Sequence, residues 1–311
     1  MGQRLTGEEA LHQIFLSAFR KRKDLPVGPG ADCARLLPVP GCGLVVTCDQ
    51  VIEGLHAARG TSPLLLGRKL VGRTLSDLAA AGARPWVLFW TAAVPRTRSS
   101  AWVRRLARGF LAEAARFQVP VAGGDLSHAG TVVLTCTAIG REGRRPMPGR
   151  HGARPGDRLC VTGRLGNAVK SGRHLCPRPR LEEGRRLVER FHAHAMMDLS
   201  DGMAADLPRL LRASGVGARI DLDALPLAPG VEPGIRGWRA ALEEGEDYEL
   251  LAALSEPQTR KAGRDPVLRR TGLTPVGEVL AAGQGVRWMD RDREWSFGGG
   301  WRCGWNARAG S

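Results

Sequence analysis

Lysine is scarce in this chain of 311 residues, occurring only at positions 21, 23, 69, 170 and 261, although Lys and Arg together number 46 against 31 acidic residues. Arginine therefore carries nearly all of the formal charge of +15, a bias that, alongside abundant Ala, Gly and Pro, reads as base composition rather than a binding surface. Aromatic residues are few as well, at 5%, with a single tyrosine. A surface for single-stranded nucleic acid interleaves aromatic with basic side chains, and that interleaving is missing. No nucleic-acid partner is expected; the positive charge instead favours anionic small molecules by raising their local concentration. The seven cysteines, at 33, 42, 48, 136, 160, 176 and 303, are an odd number without a CxxC pair, which predicts free, buried thiols in a reducing cytosol. His56, His128 and His151 lie in separate loops without ligand spacing, so zinc is not expected. The longest apolar run, Trp86 to Val94, is too short to span a bilayer and the start of the chain carries no apolar signal core. A cytoplasmic protein with no membrane partner is the expectation. Met1-Gly2 with Thr6 fits a myristoylation pattern, but Thr6 with Glu9 makes a helix capping box, the reading preferred. Finally, neither GxxxxGK[ST] nor a kinase glycine loop followed by a strand lysine occurs, which excludes the two common nucleotide-binding folds.

What is present is enough apolar residue, 43%, for a sizeable core, and a length that suggests two domains. Leu11, Ile14, Phe15, Ala18 and Phe19 keep helical spacing after Thr6. A glycine-rich loop follows at Val27 to Cys33, then a strand, Leu44 to Asp49, expected to be buried. Ser62-Pro63 starts a helix that runs to a glycine stop at Gly82. A strand near Trp86 to Val94 and a helix from Ser99 to about Phe117 lead to Gly123-Gly124-Asp125, expected as a turn. Thr131 to Ile139 alternates as a strand. The segment 140–155, rich in Arg, Gly and Pro, places a domain boundary near residue 145, giving domains 1–145 and 146–311. The second half opens on a strand, Asp157 to Thr162. A helix from about Leu181 to Ala195 precedes Met197-Asp198-Leu199-Ser200-Asp201-Gly202, after which Ser200 or Asp198 should cap a helix that Pro208 kinks or restarts. A strand at Ile220 to Leu225, a helical turn at Trp238 to Leu242, the run Gly245 to Leu250, a segment at Val276 to Val279 and a hairpin around Asp290 to Arg293 complete the chain. Strands and helices mixed in both halves make it α/β (α+β).

Acids are the recurrent chemical group. Asp198 and Asp201 flank a serine before a helix start, where free backbone amides favour phosphate; Asp125 follows two glycines; Asp49 ends a strand; Asp77 lies on an apolar helix face, where an acid needs a metal or a partner such as Arg73 one turn back. Carboxylates without a matching His and Cys set suit hard cations, because Mg²⁺ takes oxygen ligands and bridges carboxylates to substrate phosphates. A glycosidase also pairs carboxylates, but glycine-rich turns beside the acids are not explained that way.

Leu75-Ser76-Asp77-Leu78-Ala79-Ala80, Gly123-Gly124-Asp125, Gly152 to Asp157, Asp198-Leu199-Ser200-Asp201-Gly202 and Gly245-Glu246-Asp247-Tyr248-Glu249-Leu250 occur in the order of the thiamine-monophosphate kinases, and over nearly the whole chain the sequence resembles that family. The resemblance places it beside aminoimidazole ribonucleotide (AIR) synthetase, selenophosphate synthetase and a hydrogenase maturation protein. It implies two mixed α/β domains, an N-terminal one forming a homodimer and a C-terminal one completing an interdomain ATP and Mg²⁺ cleft. It also implies a phosphotransferase that moves a phosphoryl group from ATP to thiamine monophosphate in line, assisted by several Mg²⁺ ions, in thiamine biosynthesis. By the same resemblance Asp32, Thr47, Asp49, Asp77, Asp125, Asp198 and Asp201 match magnesium ligands, Gly124, Arg150 and Ser200 match nucleotide contacts, and His56, Glu246 and Trp301 match positions touching thiamine phosphate. No residue is expected to act as general base, since a phosphate oxygen acceptor is already ionised near neutral pH.

The sequence departs from the family at Ala31, where a second acid is usual, at Cys48 and Leu126, where threonines are usual, and at Glu244, where a glycine is usual. The segment between Gly166 and Pro177 is also shorter. These departures keep two alternatives open: a related ATP-using enzyme with another acceptor, and a catalytically weakened nucleotide-binding paralogue.

Overall fold

The computed structural model describes residues 14, 16–26, 33, 36–38 and 40–298. The Thr6 capping box, most of the loop from Val27 to Cys33 with Ala31 and Asp32, and the tail with Trp301 and Cys303 lie outside them. Ile14 and residues 16–18 are helical, as the stripe predicts. The chain divides into two compact units, one of residues 1–75 and 85–141, the other of residues 76–84 and 142–311.

The first unit is a four-stranded sheet with two helices. Its strands are β1 (Leu44–Ile52), β2 (Arg84–Val94), β3 (Val121–His128) and β4 (Val133–Arg141), in the order β1-β4-β2-β3. Helices α1 (Pro63–Ala80) and α2 (Ser100–Arg116) carry the apolar stripes that cover it. Ser99 caps α2 by accepting from the Trp102 amide. Leu66, Leu70, Leu106 and Phe110 are fully buried, and Phe110 stacks on Trp90 with ring centroids 4.9 Å apart. The two helices cross at glycines: a Cβ on Gly67 would meet the Leu106 carbonyl oxygen at 2.5 Å, and one on Gly109 the Leu64 oxygen at 2.1 Å. Asp24 ties the preceding segment to the sheet, accepting from Arg22, Arg141 and the Trp86 indole.

Two strand expectations change here. β1 is not a buried strand but an edge strand, with burial alternating along its length. Thr47, Asp49 and Val51 share the face of buried Ala138, Cys136 and Leu134, while Leu44 and Val46 stand 45% and 60% exposed on the other. Gly123, Gly124 and Asp125 are not in a turn either. They lie within β3, in parallel register with Phe89, Trp90 and Thr91. A Cβ on Gly124 would meet the Trp90 oxygen at 2.2 Å, so the packing of β3 against β2 demands glycine there.

The second unit is a seven-stranded sheet of β5 (Arg158–Thr162), β6 (Ala195–Leu199), β7 (Gly217–Asp221), β8 (Glu249–Leu254), β9 (Leu273–Leu280), β10 (Val286–Asp290) and β11 (Arg293–Trp295), in the order β11-β10-β7-β9-β5-β8-β6. Its pairs are antiparallel except β10 with β7. Helices cover both faces. On one, α4 (Met203–Ser214) and α5 (Ile235–Glu243) bury Leu207, Leu210, Trp238 and Leu242 against Leu159, Val161 and Met197. On the other, α3 (Leu181–Glu189), α6 (Glu256–Ala262) and α7 (Pro266–Thr271) pack on Cys160, Met196 and Leu250. The helix expected to reach Ala195 stops at Glu189, and Ala195 instead opens β6. Five buried residues in a row there make a sheet strand rather than an amphipathic helix turn. The strand expected at Ile220 to Leu225 sits earlier, at Gly217–Asp221.

Candidate functional site

The second unit brings two of the sequence motifs together. β6 ends at Leu199, and the chain turns through Ser200 and Asp201 into α4. Beside it runs the segment 244–248, where Glu246 and Tyr248 hold φ of 70° and 54°, a left-handed backbone that side chains rarely adopt and that marks functional segments. The two loops are stitched by their backbones: the Glu246 amide donates to the Ser200 oxygen at 2.8 Å and the Tyr248 amide to the Leu199 oxygen at 2.9 Å. Gly202, at φ 92°, faces the Leu242 oxygen so closely that a Cβ would stand 2.7 Å from it. Glycine is required there by both its backbone angle and its neighbour.

Neither Ser200 nor Asp198 caps α4. The N-cap is Gly202, without a side-chain hydrogen bond, and the loop is held from inside the helix by Asp206. Fully buried, its Oδ2 accepts from the Ser200 and Asp201 amides at 3.0 and 2.9 Å. Burial pushes the Asp206 carboxyl up to about 6, with the Asp201 charge adding to it and Arg209 and the backbone amides opposing. Pro208 neither stops nor restarts α4, which runs unbroken from Met203 to Ser214.

The acids differ in their company. Asp198 is buried, follows Met196 on the α3 face of β6, and accepts from the Ser76 hydroxyl at 2.7 Å. Asp77, next to that serine on α1, is half-buried. Asp201 is partly exposed and paired with Arg209 at 2.6 Å. Arg150 is exposed in a loop held beside β6, where the Met196 amide donates to the Gly149 oxygen at 2.8 Å and the Ser214 hydroxyl to the Arg150 oxygen at 3.0 Å. Buried Glu246 accepts from the Tyr248 hydroxyl at 3.2 Å.

Arg173 and Arg180, which the sequence reading did not single out, help to brace this region. Asp247 accepts from the Gly166 amide and from Arg173 at 2.7 Å; burial pushes its carboxyl up to about 7, against the pull of that amide and Arg173. Arg180 forks onto Glu249. Glu244, unusual for the family, accepts from the Asn167 amide at 2.7 Å. The short stretch from Gly166 to Pro177, with its single 3₁₀ turn at Arg173–Leu175, is thus pinned to the 244–249 segment at three points. Asp206 had one sequence signal, an acid in the first turn of a helix; the arginines had none.

In the first unit Asp49 is paired with Arg73 at 2.9 Å, both half-buried, and Thr47 lies on the same face of β1. The Cys48 thiol is on the opposite, exposed face and takes a hydrogen bond from Thr137. Asp125 is exposed on β3, the other edge of the sheet. Buried His56 accepts the Ile52 amide at Nδ1, 3.0 Å away, which leaves the proton of the neutral ring on Nε2. Burial, reinforced by Arg73 and Lys69, brings its pKa down to about 4.

Among the described residues no three His, Cys, Asp or Glu side chains stand close enough to hold a metal by themselves. The donor set nevertheless suits Mg²⁺, which is commonly held by one or two carboxylates, with water and phosphate oxygens completing its shell. Asp198, oriented by a neutral hydroxyl, and Asp201, partly open to solvent, are oxygen donors of that kind.

Residues 30–141 match the family description "AIR synthase related protein, N-terminal domain", and residues 131–288 match "AIR synthase related protein, C-terminal domain". The thiamine-monophosphate kinase of Rhodopirellula baltica is 35% identical over 260 residues, covering 78% of this chain and 81% of that protein. The crystal structure of thiamine-monophosphate kinase from Stenotrophomonas maltophilia K279a superposes with a TM-score of 0.80 at 31% identity, over 91% of this chain and 96% of that one. AaThiL complexed with AMPPCP and TMP gives a TM-score of 0.72 at 26% identity, over 83% and 88%.

Proposed function

The chain belongs to the thiamine-monophosphate kinases of the AIR synthase-related family, and from that membership we propose that it phosphorylates thiamine monophosphate to thiamine diphosphate with ATP. The observation that carries the reading at the level of residues is the stitching of the Asp198–Gly202 loop to the Glu246–Tyr248 segment, which puts a carboxylate pair and a buried glutamate into one rigid framework. The bond that forms joins a phosphate oxygen of thiamine monophosphate to the γ-phosphorus of ATP, and the β–γ bridging P–O bond breaks. The attacking oxygen needs no deprotonation, so the difficulty is repulsion between anions and their alignment.

Mg²⁺, when bound, would screen that repulsion and neutralise charge on the leaving phosphate. Asp198 and Asp201 would hold it from the second unit, with Asp77 beside the serine that orients Asp198. Asp49 with Thr47, Asp125 and Asp32 would serve further ions. Ser200, Gly124 and Arg150 would contact the nucleotide, the Arg150 guanidinium acting on its phosphates. His56, with its proton on Nε2, would donate to a phosphate oxygen of the thiamine substrate without carrying a charge that titrates near neutral pH. Glu246, and Trp301 beyond the described residues, would complete that site. The homodimer would form through the outer face of the first sheet, where Leu44 and Val46 are exposed.

Thiamine diphosphate formation from thiamine monophosphate, ATP and Mg²⁺ is the direct test. Asp201→Asn should lower the turnover by on the order of 100-fold or more with the fold retained, the scale expected when one charge-stabilising group is lost from a phosphoryl-transfer site. Wild-type activity in that variant would remove Asp201 from the reaction. ATP turnover that ignores thiamine monophosphate would point to another acceptor.

A further inference from the structure

Asp201 is paired with a positive side chain. Arg209, two turns into α4, places Nη1 2.6 Å from Asp201 Oδ2 and 2.6 Å from Asp206 Oδ1. A guanidinium Nη bears two N–H groups, so each hydrogen serves one acid. The three side chains form a gradient from interior to solvent: Asp206 is 0% exposed, Asp201 24% and Arg209 43%. Asp206 also holds the Ser200 and Asp201 amides. The backbone of the loop is therefore fixed independently of where the Asp201 carboxylate points.

We propose that Arg209 is a resident counterion of this loop: it neutralises Asp201 until a divalent cation takes that carboxylate, and then remains anchored on Asp206. The inference rests on the assignment of Asp201 as a cation ligand. Two neighbouring carboxylates without a cation repel each other, and the arginine relieves that in the empty enzyme. Entry of the ion substitutes one positive charge for another at Asp201. Because Arg209 keeps its bond to Asp206, the exchange leaves no buried charge unpaired, which is the outcome that would make it costly. The arginine therefore competes with the cation and weakens its binding to the nucleotide-free enzyme. In the first unit Arg73 pairs with Asp49 at 2.9 Å.

Mn²⁺, an ion of similar ligand preference that is visible by electron paramagnetic resonance, provides the test on the full chain without nucleotide. Arg209→Gln should bind Mn²⁺ roughly three- to tenfold more tightly than wild type, the range for loss of one partly exposed charged competitor. Arg209→Lys should fall between the two, and serves as the informative variant if the glutamine form does not fold. The rise in melting temperature on adding Mn²⁺ should be larger for Arg209→Gln than for wild type. A purely structural arginine would lower the melting temperature without enlarging that rise. Asp201→Asn separates the two levels. If it weakens Mn²⁺ binding while both Arg209 variants bind as wild type or more weakly, the counterion role is wrong and the ligand assignment stands. If Asp201→Asn binds Mn²⁺ like wild type, the ligand assignment itself is wrong.

Discussion

His56 shows how position tunes one residue. Its ring is buried, accepts a backbone amide at Nδ1 and lies near Arg73 and Lys69. A histidine near 4 in the folded chain and near 6.5 when unfolded is protonated earlier in the unfolded state as pH falls. Its contribution to stability is present above about pH 6.5 and is lost progressively down to about pH 4, on the order of 3 kcal/mol in all. Urea unfolding at pH 8 and pH 4.5 should therefore show a smaller loss for His56→Gln than for wild type. Equal losses would mean that the ring takes up its proton as readily in the fold as out of it. The acids make the complementary point. Asp198 and Asp201 were legible as a pair because a serine and a glycine frame them, whereas Arg209 and Arg73, which neutralise Asp201 and Asp49, sit in ordinary helical sequence and only the fold brings them there.

At the scale of elements, the crossing of α1 and α2 depends on Gly67 and Gly109. Alanine at 109 would gain about 1 kcal/mol of helix propensity, but its Cβ would stand 2.1 Å from the Leu64 carbonyl oxygen, and backbone does not give way as a side-chain tip does. Gly109→Ala should lose about 1–3 kcal/mol in urea unfolding, while Gly130→Ala, with nothing within 4 Å of the added atom, should change little. Unaltered stability at 109 would mean the helices can separate. Helices with a clean stripe and a stop, such as α1 and α2, could be read from sequence to within a residue or two, and so could the hairpin of β10 and β11. The misreadings have a common physical origin. Gly123 and Gly124 look like a turn because glycine usually marks one, yet Trp90 leaves no room for a Cβ on Gly124 in the neighbouring strand. The helix from Leu181 is read too far, to about Ala195, because the fully buried strand that begins there has no alternation to reveal it. The cap of α4 was sought before the helix, but the group that holds the loop is Asp206, inside it.

On the scale of the whole molecule, no helix among the described residues is long and apolar enough to cross a membrane, and the exposed apolar side chains of the first unit bear on the proposed dimer. Leu44 and Val46 project from the outer face of an edge strand. Val46→Asp should convert the proposed dimer to a folded monomer, read by light scattering after gel filtration, since a residue already 60% exposed contributes little to the monomer core. A dimer that survives the change would place the interface elsewhere. The division of the chain also bears on its synthesis. Residues 76–84 belong to the second unit although first-unit sequence flanks them on both sides. Ala79 packs in the α3 layer, a Cβ on Gly82 would strike Val188, and Ser76 bonds Asp198, 122 residues further on. On a ribosome adding about 5–20 residues per second, the end of α1 must wait roughly 6–24 s for those partners, its apolar side chains uncovered meanwhile. A chain stalled near residue 145 would therefore present to chaperones the surface that the finished enzyme closes over Asp198.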